Sequence, residues 1–339
     1  MKTPRSLRVT AVIGAAALAL VGCAAGGPEA NRAELAPATP AETSSETTAS
    51  TWPRTVAVGE GEVTLDAQPE NIVALSTETS DILLELVGPE KMAAVSAGSA
   101  TEGMGNQVEL ANQVETQLNW QTNPDPEQLL ALAPDLVLVT ERHDGQESVV
   151  TALEQAGIPA VGFTAADFAS PEKVAATIGL IGELVGAEDK ATELIDRMNA
   201  EVEEATAAIA DVAEKPRTLV LMARGGELMM QGAQSATTGL VELAGGTSIA
   251  HEMGWQAAVP ADPETIIAAN PDVILVQDFR GEGTGPFQGL LNDPALADVA
   301  AIQNDRVETV PAALTSGTAG AYLGQGLLAI AKVLHPDAF

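Results

Sequence analysis

The apolar positions of this chain fall mostly into short unbroken runs, with polar positions gathered between them. Residues 136–139 and 273–276, for example, are entirely aliphatic. An unbroken run is typical of a parallel strand that is covered on both faces, whereas a strand with one face in water alternates. The intervening segments carry apolar residues at helical spacing, so the pattern predicts an α/β fold.

One helix–strand unit occurs twice along the chain. Residues 125–139 and 262–276 are identical at eight of fifteen positions. Each copy begins with an Asp suited to the N-cap, a Pro suited to the first turn and a Glu that faces the positive end of the helix dipole. A second Pro then ends the helix before the aliphatic run. The duplication predicts two similar lobes with parallel sheets and a ligand cleft between the lobes.

The composition divides the chain into segments. We assign residues 1–22 to a lipoprotein signal peptide, 23–53 to a flexible tether, 54–186 to an N-terminal lobe, 187–214 to an interlobe helix and 215–339 to a C-terminal lobe. The long helix should join the lobes rigidly and limit hinge closure. The sequence Leu20-Val21-Gly22-Cys23 resembles a bacterial lipobox, which predicts lipidation of Cys23; an ordinary secreted protein is the alternative.

Three arginines follow predicted strands: Arg142, Arg224 and Arg280. In open α/β sheets, ligands bind beyond the carboxyl ends of the strands. The planar guanidinium suits anionic oxygens because it donates several hydrogen bonds and keeps its charge. The alternative is that these are ordinary surface arginines. We predict that they line the cleft and bind an anionic ligand.

Charge and motifs exclude several functions. The formal net charge of -31 argues against a nucleic-acid partner. The chain has no Gly-x-Ser-x-Gly elbow, no His-Glu-x-x-His pair and no cysteine besides Cys23, so we expect no enzyme. With only three histidines, a bare zinc or manganese site is poorly supported. A lipid-anchored hydrolase is the alternative from another class; a purely structural envelope protein would not explain the strand-end arginines.

Residues 71–76, both repeats, residues 241–246 and the long helix together resemble one known family. It comprises the substrate-binding lipoproteins of ABC importers for iron complexes (ferric siderophores and haem) and cobalamin. The resemblance covers about residues 71–336. It implies a monomer that captures an iron complex, has no intrinsic cofactor, and delivers its ligand to a permease dimer. It also implies an extracytoplasmic protein on the outer face of the cytoplasmic membrane, held there by its lipid anchor alone.

The resemblance assigns permease docking to Glu127 and Glu264, the acids that open the two repeat helices. Both are expected to be exposed and symmetrically placed, as two-point recognition of a dimer requires. The alternative is that each Glu only complements its helix dipole, an effect of about 0.3–1 kcal/mol.

The ligand itself stays open at this point. Some haem-binding members have a Tyr iron ligand where this chain has Trp120, which cannot ligate iron. Trp120 and Trp255 are candidates for stacking on a planar ligand or for anchoring the lobe cores. His143 is a candidate axial ligand to haem iron or a solvated loop residue, and we predict no other direct metal ligand. Cobalamin is the alternative ligand and would need fewer cationic contacts.

Overall fold

Two β-sheets with helices packed on them form the framework of the protein. The computed structural model describes residues 51–119, 126–141 and 146–339, which lie within one compact unit, Ala49–Phe339. Cys23, Trp120, Arg142 and His143 lie outside the described residues, as do the proposed signal peptide and most of the tether. The first strands of the described residues form an antiparallel hairpin, β1 (Arg54–Val58) with β2 (Gly61–Leu65).

The first lobe has a five-stranded parallel sheet in the order β5-β4-β3-β6-β7. Its strands are β3 (Ile72–Ala74), β4 (Met92–Ser96), β5 (Gln117–Leu118), β6 (Leu136–Glu141) and β7 (Ala160–Thr164). Its helices are α1 (Thr77–Val87), α2 (Val108–Ala111), α3 (Pro126–Ala131), α4 (Gln146–Gln155) and α5 (Pro171–Val185). Every residue of β3 is buried, as expected of a strand covered on both faces.

Helix α6 (Glu188–Ala208) follows as the connection to the second lobe. It is shorter than the predicted segment 187–214, because the helix ends at Ala208 and residues 209–211 form a turn. It packs along α5 on one side and along the last helix of the chain on the other.

The second lobe has a six-stranded sheet in the order β11-β9-β8-β12-β13, with β10 paired to β8. Its strands are β8 (Arg217–Arg224), β9 (Glu227–Met230), β10 (Thr247–Ser248), β11 (Val259–Pro260), β12 (Val273–Asp278) and β13 (Val307–Pro311). Its helices are α7 (Ala236–Leu243), α8 (Ile249–Glu252), α9 (Pro263–Ala269), α10 (Gln288–Leu291), α11 (Ala300–Gln303), α12 (Ala312–Thr315) and α13 (Leu323–Leu334).

The second sheet is parallel at its centre and gains two antiparallel strands at one side. Strands β10, β8, β12 and β13 run parallel, whereas β9 and β11 are antiparallel to their neighbours. Gly225 and Gly226 turn the chain back directly after β8 with φ of 61° and 88°, a backbone that glycine adopts without strain. The turn makes β9 the hairpin partner of β8 and widens the sheet beside the cleft.

The two copies of the repeat fold alike. Each repeat helix is followed by a residue in the left-handed region at the equivalent position, Ala133 with φ 49° and Asn270 with φ 41°. The next Pro-Asp pair then begins the strand. The carboxylate of Asp135 accepts the backbone N–H of Asn71 at 3.0 Å, and that of Asp272 accepts the backbone N–H of Arg217 at 2.8 Å. Each aspartate thus ties its repeat to the first strand of its own sheet.

Asn71 and Arg217 in turn bind the carbonyls at the end of the repeat helices. The amide of Asn71 donates to the carbonyls of Leu132 and Ala133, both at 2.8 Å. The guanidinium of Arg217 donates to the equivalent carbonyls of Ala269 and Asn270, at 2.8 and 3.0 Å. An asparagine in one lobe and an arginine in the other therefore bind the equivalent carbonyls, which have no hydrogen-bond donor within their own helix.

One apolar core extends through both lobes. It includes Leu138 of β6, Met198 of α6, Leu275 of β12 and Leu327 of α13, all with no exposed surface. Opening the lobes widely would expose this core to water. This packing agrees with the rigid connection expected of the interlobe helix. None of the helices in the described segments is both long and apolar enough to cross a membrane.

Candidate functional site

A cleft with a volume of about 770 Å³ lies between the lobes, at the carboxyl ends of β8 and β12. Most of its described lining belongs to the second lobe. The first lobe contributes Thr77 at the start of α1, Met104 in the loop after β4, and Ala165 after β7. The cleft is thus located where the chain order of strands and helices predicted it.

Arg224 and Arg280 both line this cleft and are both exposed. Arg224 is the last residue of β8, and Arg280 follows β12 by two residues. Within the described segments, neither guanidinium forms an ion pair, whereas Arg197 pairs with Glu85 at 2.9 Å and Arg217 with Glu252 at 2.7 Å. The two arginines at the cleft are therefore placed to meet negative charge on a ligand.

Asp278 fixes the loop that carries Arg280. Its carboxylate accepts the backbone N–H groups of Arg280, Glu282 and Gly283 at 3.0, 3.1 and 2.9 Å. Burial alone would raise the pKa of Asp278, but the hydrogen bonds from these backbone N–H groups outweigh it and hold the pKa below its ordinary value. The carboxylate is thus ionised and engaged with its own loop, so it offers a ligand little free acceptor capacity.

The floor of the cleft in the second lobe is a neutral hydrogen-bond network. The amide of Gln277, at 2% exposure, donates to the hydroxyl of Thr237 at 2.7 Å and accepts from the amide of Gln231 at 2.8 Å. Thr237 then donates to the carbonyl of Thr315 at 2.8 Å. Because the network is buried and satisfied, it holds the strand ends rigid and presents amide dipoles rather than charges.

The walls of the cleft are largely apolar. Met222 and Met229 are cross-strand partners in β8 and β9, and with Met104 they bring three thioethers to the cleft. Phe279 adds an aromatic ring beside Arg280. Such walls suit a large flat or cyclic ligand, and a thioether sulfur is also an axial ligand that haem iron accepts.

Residues 97–107, here called the bridging loop, extend from the first lobe to the second. The backbone N–H of Asn106 donates to Asp81 of α1 at 2.7 Å, and its side-chain amide donates to the carbonyl of Ala313 in α12 at 2.8 Å. A Cβ at Gly103 would stand 2.7 Å from the carbonyl oxygen of Phe279, so this close approach requires glycine. The bridging loop thus joins the lobes at the cleft and carries Met104 into it.

The other predicted site residues have different outcomes. Trp255 is half-buried and packs against a core cluster of the second lobe that includes Leu219 and Ile274, and it does not line the cleft. This position favours the core-anchor alternative over ligand stacking. Glu127 and Glu264 are exposed on α3 and α9. Trp120, Arg142 and His143 lie outside the described residues, so their roles stay predictions.

No motif or spacing in the sequence marks three of the residues at or beside the cleft as functional: Asn106, Gln231 and Gln277. The only signal was a polar residue directly after an aliphatic run, as at Gln277. The described residues contain no group of three or more His, Cys, Asp and Glu side chains that could hold a metal ion.

The sequence and the fold match known proteins. Residues 72–314 match the family model described as periplasmic binding protein, and the chain belongs to this family. The chain is 24% identical over 290 residues to the uncharacterized ABC transporter substrate-binding lipoprotein YvrC of Bacillus subtilis strain 168, which covers 82% of this chain and 84% of YvrC. It is 28% identical over 251 residues to a cobalamin-binding protein of Halobacterium salinarum, covering 71% of this chain and 63% of that protein.

The fold is also similar to that of a solved structure. The periplasmic heme-binding protein RhuT from Roseiflexus sp. RS-1, in apo form, superposes with a TM-score of 0.67 at 25% identity, over 80% of this chain and 99% of RhuT. The likeness confirms the two-lobed α/β architecture, and the family match confirms the resemblance drawn from the repeats.

Proposed function

We propose that this protein is the solute-binding component of an ABC importer, and that it captures an iron complex, a ferric siderophore or haem, in the interlobe cleft for delivery to a permease dimer. The observation that carries the proposal is the pair of arginines, Arg224 and Arg280, on a cleft with apolar walls and a neutral floor. The family match and the relative named as an ABC transporter substrate-binding lipoprotein support the transport role.

The dimensions and chemistry of the cleft suit such a ligand. Its volume of about 770 Å³ is in the range of sites that enclose most of a cofactor-sized molecule. The methionines and Phe279 offer contact to a flat or cyclic apolar body, while the arginines meet anionic oxygens at its edge. Haem would be transported cargo here, and the protein would release it to the permease. Binding without chemical conversion is the proposed activity.

The proposed location follows from the N-terminal segment. Cleavage before Cys23 and lipidation of its thiol would hold the protein on the outer face of the cytoplasmic membrane, with residues 23–53 as a tether. Glu127 and Glu264, one exposed acid in the first turn of each repeat helix, would then dock on basic residues of the two permease subunits.

A corrinoid is the second candidate ligand. The neutral amides of Gln231 and Gln277 at the cleft floor favour it, because cobalamin carries amide side chains and needs few cationic contacts. The Halobacterium relative is named a cobalamin-binding protein, which supports the same alternative.

A titration distinguishes these ligands. Purified protein is titrated with hemin, with the ferric complex of a hydroxamate siderophore and with cyanocobalamin, and binding is followed by absorption and by tryptophan fluorescence. We expect saturable one-to-one binding of hemin or the ferric siderophore, with quenching of tryptophan. Tight binding of cyanocobalamin alone would transfer the proposal to the corrinoid, and no binding of any of the three would contradict both.

A further inference from the structure

Two exposed aliphatic side chains occupy the same position in the two repeats. The large hydrophobic side chains that the described segments expose are Leu130, Leu243, Met253, Ile267 and Phe339. Leu130 is 40% exposed and Ile267 is 44% exposed, and both are the sixth residue of their repeat. A single exposed leucine is ordinary on a protein surface. The same exposure at the same place in both lobes needs a further reason.

Each exposed aliphatic residue lies one helical turn after the proposed docking glutamate. Glu127 precedes Leu130 by three residues, and Glu264 precedes Ile267 by three. Side chains at this spacing share one face of a helix. Leu129 and Ile266, the intervening neighbours, are fully buried, so they fix the rotation of each helix and turn the glutamate and the aliphatic residue outward together.

Both helices are held in place in the same way. The carbonyls behind them are bound by Asn71 in the first lobe and by Arg217 in the second, and each following aspartate is hydrogen-bonded to its sheet. The two repeat helices are therefore held by equivalent hydrogen bonds, and each carries an exposed acid and an exposed aliphatic side chain. We call each such pair, Glu127 with Leu130 and Glu264 with Ile267, a lobe-tip patch.

We propose that the two lobe-tip patches bind the two equivalent subunits of the permease, with Leu130 and Ile267 each entering an apolar depression beside a basic residue. This inference rests on the proposed transport function and extends its docking contact from charge alone to charge plus apolar burial. A partner with two identical subunits presents the same surface twice, which matches a patch that occurs twice. Charge attracts and orients the partners, whereas burial of an aliphatic side chain at the centre of a contact contributes to its lifetime.

The test measures binding to the permease directly and does not depend on the cargo. Biolayer interferometry measures the binding of the lipid-free chain to its permease complex, which is reconstituted in lipid nanodiscs. We expect Leu130→Ser with Ile267→Ser to raise the Kd roughly tenfold or more, mainly through faster dissociation. The control is Leu243→Ser with Met253→Ser, which removes two side chains that are each 44% exposed elsewhere and should leave the Kd unchanged.

Each outcome decides one point. Equal Kd values for the aliphatic variant and the control overturn the inference. If Glu127→Gln with Glu264→Gln weakens binding while the aliphatic variant does not, docking by charge stands and only the apolar contact fails. If neither variant weakens binding, docking by the lobe tips fails altogether. If the wild type binds empty nanodiscs and the aliphatic variant does not, the patches bind lipid. If analytical ultracentrifugation shows a wild-type dimer that the aliphatic variant does not form, the patches bind a second copy of the chain. Either result overturns the proposal.

Discussion

The buried carboxyl of Asp81 accepts the backbone N–H of Asn106 at 2.7 Å, near the C-terminal end of the bridging loop. Asp81 is only 2% exposed. Burial raises the pKa of this carboxyl from 3.8 to about 7, and the nearby Glu78 and Glu85 add to the rise, while hydrogen bonding to Asn106 opposes it. Asp81 is therefore neutral in the folded protein below about pH 7.

We predict that this group makes the protein less stable as the pH rises. The folded pKa is above the unfolded value, so between pH 3.8 and about 7 the folded protein keeps a proton that the unfolded chain releases. The stabilisation that is complete below the unfolded pKa is therefore lost as the pH rises through about 7. Asp81→Asn keeps the acceptor and removes the titration. Between pH 5 and pH 8, the free energy of unfolding of the wild type should fall by about 3 kcal/mol relative to the variant, as measured by urea unfolding. Parallel pH profiles for the two proteins would contradict this.

The side chain of Asn106 should stabilise the contact between the lobes. Asn106→Ala removes the hydrogen bond to the carbonyl of Ala313 and should cost about 1–2 kcal/mol of unfolding free energy. Hydrogen exchange in residues 97–107 should become faster. Asn112→Ala, at an exposed position nearby in the same lobe, is the control and should change neither measurement. Unchanged exchange in the bridging loop of the Asn106 variant would show that other contacts hold it.

The arginines at the cleft should determine affinity for anionic iron complexes. Arg224→Gln with Arg280→Gln should raise the Kd for hemin or a ferric siderophore by roughly tenfold or more, because two charge-assisted contacts are lost. Binding of an uncharged corrinoid should change little. Lys173→Gln with Lys215→Gln removes the same charge from exposed positions outside the cleft and serves as the control. Equal affinities in a titration would remove the two arginines from the binding site.

The docking acids should act on transport and leave ligand binding intact. Glu127→Ala with Glu264→Ala should abolish or strongly reduce uptake of the bound iron complex by intact cells, because the charged contacts to the permease are lost. The Kd of the purified variant for that complex should equal the wild-type value. Glu172→Ala with Glu193→Ala, two exposed acids on α5 and α6, is the matched control. Normal uptake by the docking variant would return Glu127 and Glu264 to a local role at their helices.

The parts of the fold that were predictable from the sequence depend on local signals. The Asp-Pro-Glu start, the Pro-Asp stop and the aliphatic run of each repeat specify a helix and a strand within fifteen residues. Arg224 and Arg280 could be placed at the cleft because each closely follows an apolar run, residues 219–222 and residues 273–276 respectively. The end of α6 was less predictable, since apolar residues continue at helical spacing to Val212 while the helix ends at Ala208.

The floor of the cleft could not be predicted, because its partners meet only in the folded chain. Gln277 contacts Thr237 and Gln231, which are separated from it by 40 and 46 residues. Asn106 and Ala313 are 207 residues apart. No periodicity or motif connects such pairs. The packing of Trp255 on the core of the second lobe depends on tertiary structure in the same way.

The apolar core that includes both Leu138 and Leu275 has a consequence for how this molecule unfolds. Neither half of the chain can complete that core alone, so a fragment cut at the middle of α6 should stay largely unstructured. Heating the intact chain should then melt both halves in a single cooperative transition, with calorimetric and van't Hoff enthalpies that agree. We therefore expect the two lobes to unfold as one cooperative unit.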